Sequence, residues 1–165
     1  MKRSFIIEKL NITGDKCQIL TIRYDGEELS EFDKFLTDHE KKYPKNIDNV
    51  VIRISLMKKR NGCPDVYFKD VSSPKDALCR LRKTGKLRLY CLRFGNAAII
   101  IGGGGVKEDD KRTYQEVEEL NDVVEDLKFI YSRIEERIRN RDLKITDEGL
   151  SGDLNFDIEE EDINE

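Results

Sequence analysis

One long amphipathic segment in the second half of the chain constrains the fold more than any other feature. Its apolar residues recur every three or four positions and form a single stripe over roughly seven helical turns. The stripe consists of Val117, Leu120, Val123, Val124, Leu127, Ile130, Tyr131, Ile134 and Ile138. Thr113 and Glu116 precede it with the spacing of a capping box, so we predict that a long helix begins there. A helix of this length must bury its stripe against another layer of structure.

Five shorter segments have the composition of β-strands and can supply that layer. They lie at residues 4–12, 16–24, 78–83, 86–94 and 96–101, and they either alternate apolar with polar residues or are apolar throughout. Turn sequences separate neighbouring segments at Thr13-Gly14-Asp15, Thr84-Gly85 and Gly95-Asn96. The first two segments therefore predict an N-terminal β-hairpin.

Helical spacing predicts a pair of helices between the two groups of strands. The first covers residues 27–43 and ends at Pro44, and the second begins near Asn46, which can cap it, and ends at Arg60. The fold class that we predict is α+β: an antiparallel sheet with an N-terminal β-hairpin, a helical hairpin and a long C-terminal helix. Residues 1–142 form this single domain. Residues 143–165 form an acidic tail that is either disordered or binds a partner, for example by pairing with a sheet edge.

Charge is distributed very unevenly along the chain. The formal net charge is −4, which alone argues against a nucleic-acid partner. Residues 52–95, however, carry twelve basic and three acidic side chains, whereas residues 143–165 carry nine acidic side chains and one basic. This asymmetry favours a polyanion-binding centre. The alternative is that both segments are ordinary solvated surfaces.

Several classes of protein fit the sequence poorly. No apolar run reaches the length of a membrane helix, and the basic N-terminus lacks the apolar region of a signal peptide, so we expect a cytoplasmic protein without a membrane partner. The cysteines are far apart in sequence and form no CxxC pair, and His39 is the single histidine. We therefore expect reduced, buried thiols and neither a metal nor another cofactor. The cysteines are Cys17, Cys63, Cys79 and Cys91.

Four consecutive glycines, Gly102 to Gly105, follow the last predicted strand. A phosphate-binding loop would continue with Gly-Lys-Ser/Thr at the start of a helix, but Val106 and Lys107 follow instead. We predict a glycine-rich turn that allows another backbone or a ligand to approach closely.

The segment from Arg80 to Tyr90 is a basic ladder around a tight turn. Guanidinium groups can bind phosphate through two parallel hydrogen bonds, and tyrosine rings can stack on unpaired bases. This segment predicts RNA binding, together with the basic cluster at the end of the second helix. The candidate RNA-binding residues are Arg82, Lys83, Lys86, Arg93, Lys58, Lys59 and Arg60.

Two short patterns in this region resemble those of a known family. The first is Arg80-Leu81-Arg82, then Gly85, then Arg88-Leu89-Tyr90, and the second is an apolar strand that leads to Gly105, Lys107 and Tyr114. They resemble the RelE/HigB family of bacterial toxins, and the resemblance extends from about Asn46 to Ile138. It implies a helical hairpin on an antiparallel sheet, cleavage of messenger RNA on the ribosome, and a cognate antitoxin protein as a partner.

The resemblance also implies catalytic roles for four residues. Arg80 and Arg88 would contact the scissile phosphate, and Lys107 would do the same or protonate the leaving oxygen. Tyr114 would stack on a base and hold the backbone in line for attack by the 2′-hydroxyl. Family members often have lysine where Arg80 stands and a second basic residue where Leu78 stands. Because arginine keeps its proton in proteins, the sequence offers no obvious general base.

Three readings of the sequence remain open. The first is a ribosome-dependent, mRNA-cleaving toxin of a type II toxin–antitoxin pair. The second is a non-catalytic module of the same fold that binds RNA or protein. The third is an unrelated α+β domain in which the basic strands are only a solvated face. The sequence leaves the oligomeric state open.

Overall fold

The computed structural model describes residues 2–73 and 77–158, which form three helices and nine strands. The helices are α1 (Glu31–His39), α2 (Pro44–Leu56) and α3 (Glu118–Arg139). The strands are β1 (Phe5–Lys9), β2 (Gln18–Tyr24), β3 (Phe68–Asp70), β4 (Leu78–Leu81), β5 (Leu87–Phe94), β6 (Ala98–Val106), β7 (Leu143–Thr146), β8 (Gly149–Gly152) and β9 (Asn155–Phe156). The class is α+β. A π-helical turn at Met57–Asn61, called the π-turn below, follows α2.

Seven strands form one mixed sheet in the order β3-β4-β5-β6-β2-β1-β9. The predicted antiparallel sheet is wrong, because β2 pairs with β6 in parallel, with Gln18 opposite Ala98. Nearly every residue of β2 is buried, so the strand suits an interior position between β1 and β6. Alternation in the sequence indicates which face a side chain occupies, but it does not fix the direction of the neighbouring strand.

The long helix is not the last element of the fold. After α3, β7 and β8 form a separate antiparallel hairpin, and β9 pairs with β1 at the far edge of the sheet, with Phe156 opposite Phe5. The described part of the predicted acidic tail, residues 143–158, is thus part of the structure, and β9 lies at the edge of the sheet remote from β3 and β4. Residues 159–165 of that tail lie outside the described residues.

Helices cover both faces of the sheet. The stripe of α3 packs on one face against a core that includes Leu20, Ile22, Leu92 and Ile100. Helices α1 and α2 pack on the other face of the sheet. They contact the residues of each strand that alternate with those facing α3, such as Ile19 beside Leu20. Because β5 alternates between these two layers, Tyr90 belongs to the α3 layer, and its neighbours Leu89 and Cys91 belong to the α1/α2 layer.

Gly102 to Gly105 lie inside β6, so the predicted glycine-rich turn is wrong. A Cβ atom on Gly102 would lie 2.5 Å from a methyl carbon of Leu127, and one on Gly105 would lie 3.1 Å from a methyl carbon of Leu120. The missing side chains therefore let α3 approach the sheet closely. The register between β5 and β6 also shifts here, between Tyr90 and Cys91, which is a β-bulge.

The predicted capping box at Thr113 and Glu116 does not form. The Thr113 side chain makes no cap hydrogen bond, and a 3₁₀ turn at Tyr114–Glu116 precedes α3, which begins at Glu118. Glu116 Oε2 instead accepts a hydrogen bond of 3.0 Å from the backbone N–H of Arg112. The late start of α3 leaves one end of the sheet face uncovered by the helix.

Asn46 does not cap α2, which begins with Pro44 in its first turn. Its side-chain Nδ2 donates a 2.9 Å hydrogen bond to the carbonyl oxygen of Thr84, in the turn between β4 and β5. Asn46 therefore ties the α1/α2 layer to this turn.

Candidate functional site

A cleft of about 450 Å³ lies where α3 leaves the sheet uncovered. Its floor comes from β3, β4 and β5, and its rim comes from the segment between β6 and α3. The lining residues are Lys69, Asp70, Val71, Arg80, Arg88, Tyr90, Lys107, Arg112, Thr113, Tyr114 and Gln115. Arg80 and Tyr90 are opposite each other in the β4–β5 register, so the sheet itself sets their positions in the cleft.

Arg80 is half-buried, and within the described ranges its side chain makes no hydrogen bond or ion pair. Burial lowers the pKa of its guanidinium, and the positive charge of Arg88 lowers it further. A partly desolvated cation without an anionic partner is unfavourable in the free protein. An anion bound in the cleft would relieve this cost.

Arg88 is held in place by the turn between β4 and β5. Its Nη1 donates hydrogen bonds to the carbonyl oxygens of Gly85, at 2.6 Å, and of Leu87, at 2.9 Å. Gly85 has a φ of +63°, and the side chain of Asn46 fills the space where its Cβ atom would lie. This conformation therefore favours glycine at position 85.

Two tyrosine rings form an aromatic wall in the cleft. The ring centroids of Tyr90 and Tyr114 are 6.3 Å apart, and the ring planes meet at 66°. Burial raises the pKa of Tyr90 to about 12, against the opposing effect of the charges on Arg88 and Arg80, so its hydroxyl is neutral at physiological pH. Tyr114 is only half-buried, so its ring is the more accessible of the two.

The electrostatics of the cleft favour an anion. Its lining contains five cationic side chains, at Lys69, Arg80, Arg88, Lys107 and Arg112, and one carboxylate, at Asp70, among the residues described. Lys107 Nζ donates a 2.6 Å hydrogen bond to the carbonyl oxygen of Lys111, which keeps the ammonium beside the rim.

The structure brings together the four residues to which the resemblance assigns catalytic roles: Arg80, Arg88, Lys107 and Tyr114 all line this cleft. Arg80 and Arg88 come from adjacent strands. Lys107 directly follows β6, and Tyr114 lies on the 3₁₀ turn before α3.

The seven candidate RNA-binding residues do not line the cleft. Four of them have partners in the protein: Arg82 Nε donates to Phe68 O (2.8 Å), Arg93 Nε to Cys63 O (2.9 Å) and Lys58 Nζ to Cys17 O (2.8 Å), and Lys86 pairs with Glu108 (3.1 Å). Lys59 and Arg60 are exposed on the π-turn, beside the α1/α2 layer. Lys83 is exposed in the β4–β5 turn, with a φ of +62°.

Sequence reasoning missed Lys69 and Arg112 as lining residues. Lys69 lies opposite Arg80 in the register of β3 with β4. Strand β3 has only three residues, which is too short for an alternation of apolar and polar residues to be recognised in the sequence. Arg112 lies two residues before Tyr114, and this closeness in sequence could have indicated that Arg112 also lines the cleft.

Comparisons of the chain with protein-family models, with curated proteins and with solved structures find no match. Within the described residues, no helix is both long and apolar enough to cross a bilayer. All four cysteines are free and buried. The cleft itself is therefore the basis for a functional proposal.

Proposed function

We propose that the cleft binds a phosphate group of an RNA strand, and that the chain is an endoribonuclease that cleaves messenger RNA on the ribosome as a type II toxin. One observation carries the proposal: the half-buried guanidinium of Arg80 lies beside that of Arg88 and has no protein partner among the described residues. The phosphate group of an RNA strand can accept hydrogen bonds from both side chains, and its negative charge would offset part of their combined positive charge.

RNA fits this cleft better than an isolated phosphate ion does. The volume of about 450 Å³ lies within the range of ligand pockets. Tyr114 offers a ring on which a base could stack, and stacking of this kind requires an unpaired strand. Lys69 and Arg112 extend the positive lining beyond the two central arginines, as a chain of phosphates requires.

Cleavage would follow the route in which the 2′-hydroxyl attacks the adjacent phosphorus. The 2′-oxygen forms a bond to phosphorus, the bond to the 5′-oxygen breaks, and the products are a cyclic phosphate and a 5′-hydroxyl. Arg80 and Arg88 would offset the charge that develops on the phosphoryl oxygens. Lys107 would protonate the leaving oxygen. Asp70, the carboxylate in the described lining, would accept the proton of the 2′-hydroxyl.

A second candidate is a non-catalytic RNA-binding module that uses the same cleft. The composition of the lining favours it, because the described lining contains no imidazole and a single carboxylate, and arginine cannot act as a base. Under this reading the guanidinium groups and the tyrosine wall hold RNA without cutting it.

The first test is induction of the chain in a bacterial host, with the rate of translation and the 5′ ends of messenger RNA measured together. We expect translation to stop and new 5′ ends to appear. An Arg88→Ala, Tyr114→Ala variant should have neither effect. A Lys59→Ala, Arg60→Ala variant is the matched control, because it removes two exposed cations outside the cleft, and it should behave like the native chain.

The outcomes separate the candidates. Arrest with cleaved messages that depends on Arg88 and Tyr114 supports the toxin, and a neighbouring gene for an antitoxin that relieves the arrest would strengthen that reading. Binding to ribosomes or RNA without new 5′ ends would leave the non-catalytic module. No effect and no RNA binding by soluble, folded protein would rule out both.

A further inference from the structure

The loop that leads into β2 lies against the π-turn, on the side of the sheet away from the cleft. The backbone N–H of Lys16 donates a 3.0 Å hydrogen bond to Lys58 O, and Lys58 Nζ donates a 2.8 Å hydrogen bond to Cys17 O. Cys17 Sγ lies 3.5 Å from Met57 O. These contacts fix Cys17 beside the start of the π-turn. The backbone N–H of Gly62 donates a 2.8 Å hydrogen bond to the same Met57 oxygen, which brings the next residue, Cys63, close to Cys17.

Cys17 and Cys63 are buried thiols on neighbouring segments: both pack in the α1/α2 layer, and a Cβ atom on Gly62 would lie 3.4 Å from Lys16 O. The hydrogen bond from Cys63 lowers the pKa of Cys17, burial opposes this effect, and the charge of Lys58 lowers the pKa further. The same hydrogen bond, together with burial, raises the pKa of Cys63. Cys17 therefore has the nucleophilic sulfur of the pair, and Cys63 keeps its proton.

Cys17 also lines a cavity of about 390 Å³. The other lining residues are Lys9, Gly14, Asp15, Gln18, Lys58, Asp147 and Glu148. A small oxidant that enters this cavity meets Cys17 before it meets Cys63, which is not among the lining residues. A reactive thiol needs a positive neighbour and access of this kind.

The other two cysteines provide an internal contrast. Cys79 and Cys91 are directly opposite each other in the register of β4 and β5, and both are buried in the α1/α2 layer. Burial raises the pKa of Cys79 to about 12 and the pKa of Cys91 well above its ordinary value. These two thiols are neutral and poor nucleophiles.

We infer that Cys17 and Cys63 form a peroxide-sensitive dithiol, in which Cys17 is oxidised first and Cys63 completes a disulfide. The Cys17 thiolate attacks one oxygen of a hydroperoxide, the O–O bond breaks, and the products are a sulfenic acid at Cys17 and hydroxide or an alcohol. Once Cys17 is a neutral sulfenic acid, the thiolate that raises the pKa of Cys63 is gone. The Cys63 sulfur then attacks the sulfenic sulfur, an S–S bond forms, and the S–O bond breaks as water leaves with the thiol proton. The peroxide gains two electrons, and each cysteine gives up one.

The disulfide would join the start of β2 to the segment that leads from the π-turn to β3. Cys63 O also accepts the hydrogen bond from Arg93 Nε, so this segment is already fixed to β5. The cross-link would therefore connect parts of the chain that the native contacts hold together, and the native backbone would need little rearrangement.

The test exposes the full native chain to hydrogen peroxide, blocks the remaining thiols under denaturing conditions, and maps disulfides by mass spectrometry without reduction. We expect two of the four thiols to disappear together, a peptide that links Cys17 to Cys63, and full recovery after treatment with a dithiol reductant. Cys17 should react at least about tenfold faster than Cys79.

Two variants make the mechanism testable. Cys63→Ser should accumulate the sulfenic acid of Cys17, trapped by dimedone, whereas Cys79→Ser, the matched control, should form the Cys17–Cys63 disulfide at the native rate. A Cys79–Cys91 disulfide, or loss of all four thiols at similar rates, would overturn the inference. If Cys63→Ser fails to fold, the disulfide map of the native chain decides on its own.

Discussion

The cleft and the π-turn both contain clustered cations, but the two regions present their charges differently. In the cleft, Arg80 is half-buried, lies next to Arg88 and has no partner among the described residues. On the π-turn, Lys59 and Arg60 project into solvent, and Lys58 is already bonded to the carbonyl oxygen of Cys17. Water screens the exposed charges, whereas those of the cleft are partly desolvated and lie beside aromatic rings.

A count of basic residues along a sequence therefore does not locate a binding site. Residues 52–95 supply cations to both regions. What distinguishes the cleft is that two adjacent strands place two guanidinium groups in the lining of one open volume, and that Arg80 has no partner among the described residues.

Removing the two arginines of the cleft should weaken RNA binding far more than removing two cations of the π-turn. An Arg80→Ala, Arg88→Ala variant should lose about 3 kcal/mol of RNA-binding free energy, or roughly a hundredfold in affinity, because two charge-assisted bonds to phosphate disappear. A Lys59→Ala, Arg60→Ala variant should lose less than about threefold. Fluorescence anisotropy with a short single-stranded RNA at fixed salt measures both. Equal losses would mean that binding follows net charge and not the cleft.

Alkaline pH should destabilise the folded protein through the ionisation of Tyr90 in the cleft. Its folded pKa, raised to about 12, exceeds that of the unfolded chain, near 10, so the folded state holds the proton more tightly in this window. The contribution of Tyr90 to the free energy of unfolding should fall by about 1.4 kcal/mol per pH unit as pH rises from 10 toward 12. Denaturant titrations at each pH measure it. Tyr90→Phe should reduce this slope, whereas Lys59→Ala, Arg60→Ala should leave it unchanged.

Adding one negative charge to each region gives a smaller effect. Gln115→Glu, on the rim of the cleft, should weaken RNA binding by about 1 kcal/mol, roughly fivefold, through repulsion of phosphate and pairing with the arginines. Asn61→Glu, on the π-turn, changes the net charge equally and should have little effect. The two affinities, compared over a range of salt, test this. A matching loss in Asn61→Glu would place the RNA across both regions.

Replacing Arg80 by an apolar residue should give a small gain in stability. Arg80→Met should raise the free energy of unfolding by roughly 0.5–1 kcal/mol, because it removes a partly buried charge that has no partner while keeping much of the volume. Arg60→Met, at an exposed position, should change it by less than about 0.5 kcal/mol. Chemical denaturation of both variants without RNA provides the measurement. A destabilised Arg80→Met would show that the guanidinium already stabilises the free fold.

Local sequence patterns predicted the elements around the cleft better than the sheet as a whole. The β4–β5 hairpin depends on a turn sequence and on alternation, both visible within about fifteen residues, and it brings Arg80 and Arg88 together. The pairing of β2 with β6 joins residues about eighty positions apart. No local signal specifies that partner, because several apolar strands could occupy the interior position equally well.

The dependence on local sequence patterns also explains which site residues were predicted correctly and which were not. Alternation puts Arg80 and Arg82 on one face only if the strand continues through both, but β4 ends at Leu81, and Arg82 turns to bond with Phe68 O. The position of Tyr114 in the cleft depends on where α3 begins. A sequence that resembles a capping box favoured Thr113, but the backbone of Arg112 binds Glu116 instead.

The parallel pairing of β2 with β6, and the position of β9 beside β1, have a consequence during synthesis of the chain. The first hairpin leaves the ribosome early, yet the strand that pairs with β2 arrives about eighty residues later, and the one that pairs with β1 comes from residues 155–156. Until then the early hairpin has unpaired edges, which favour association with other chains. The β1–β2 hairpin therefore needs protection from association for longer than the β4–β5 hairpin, which can close soon after it emerges.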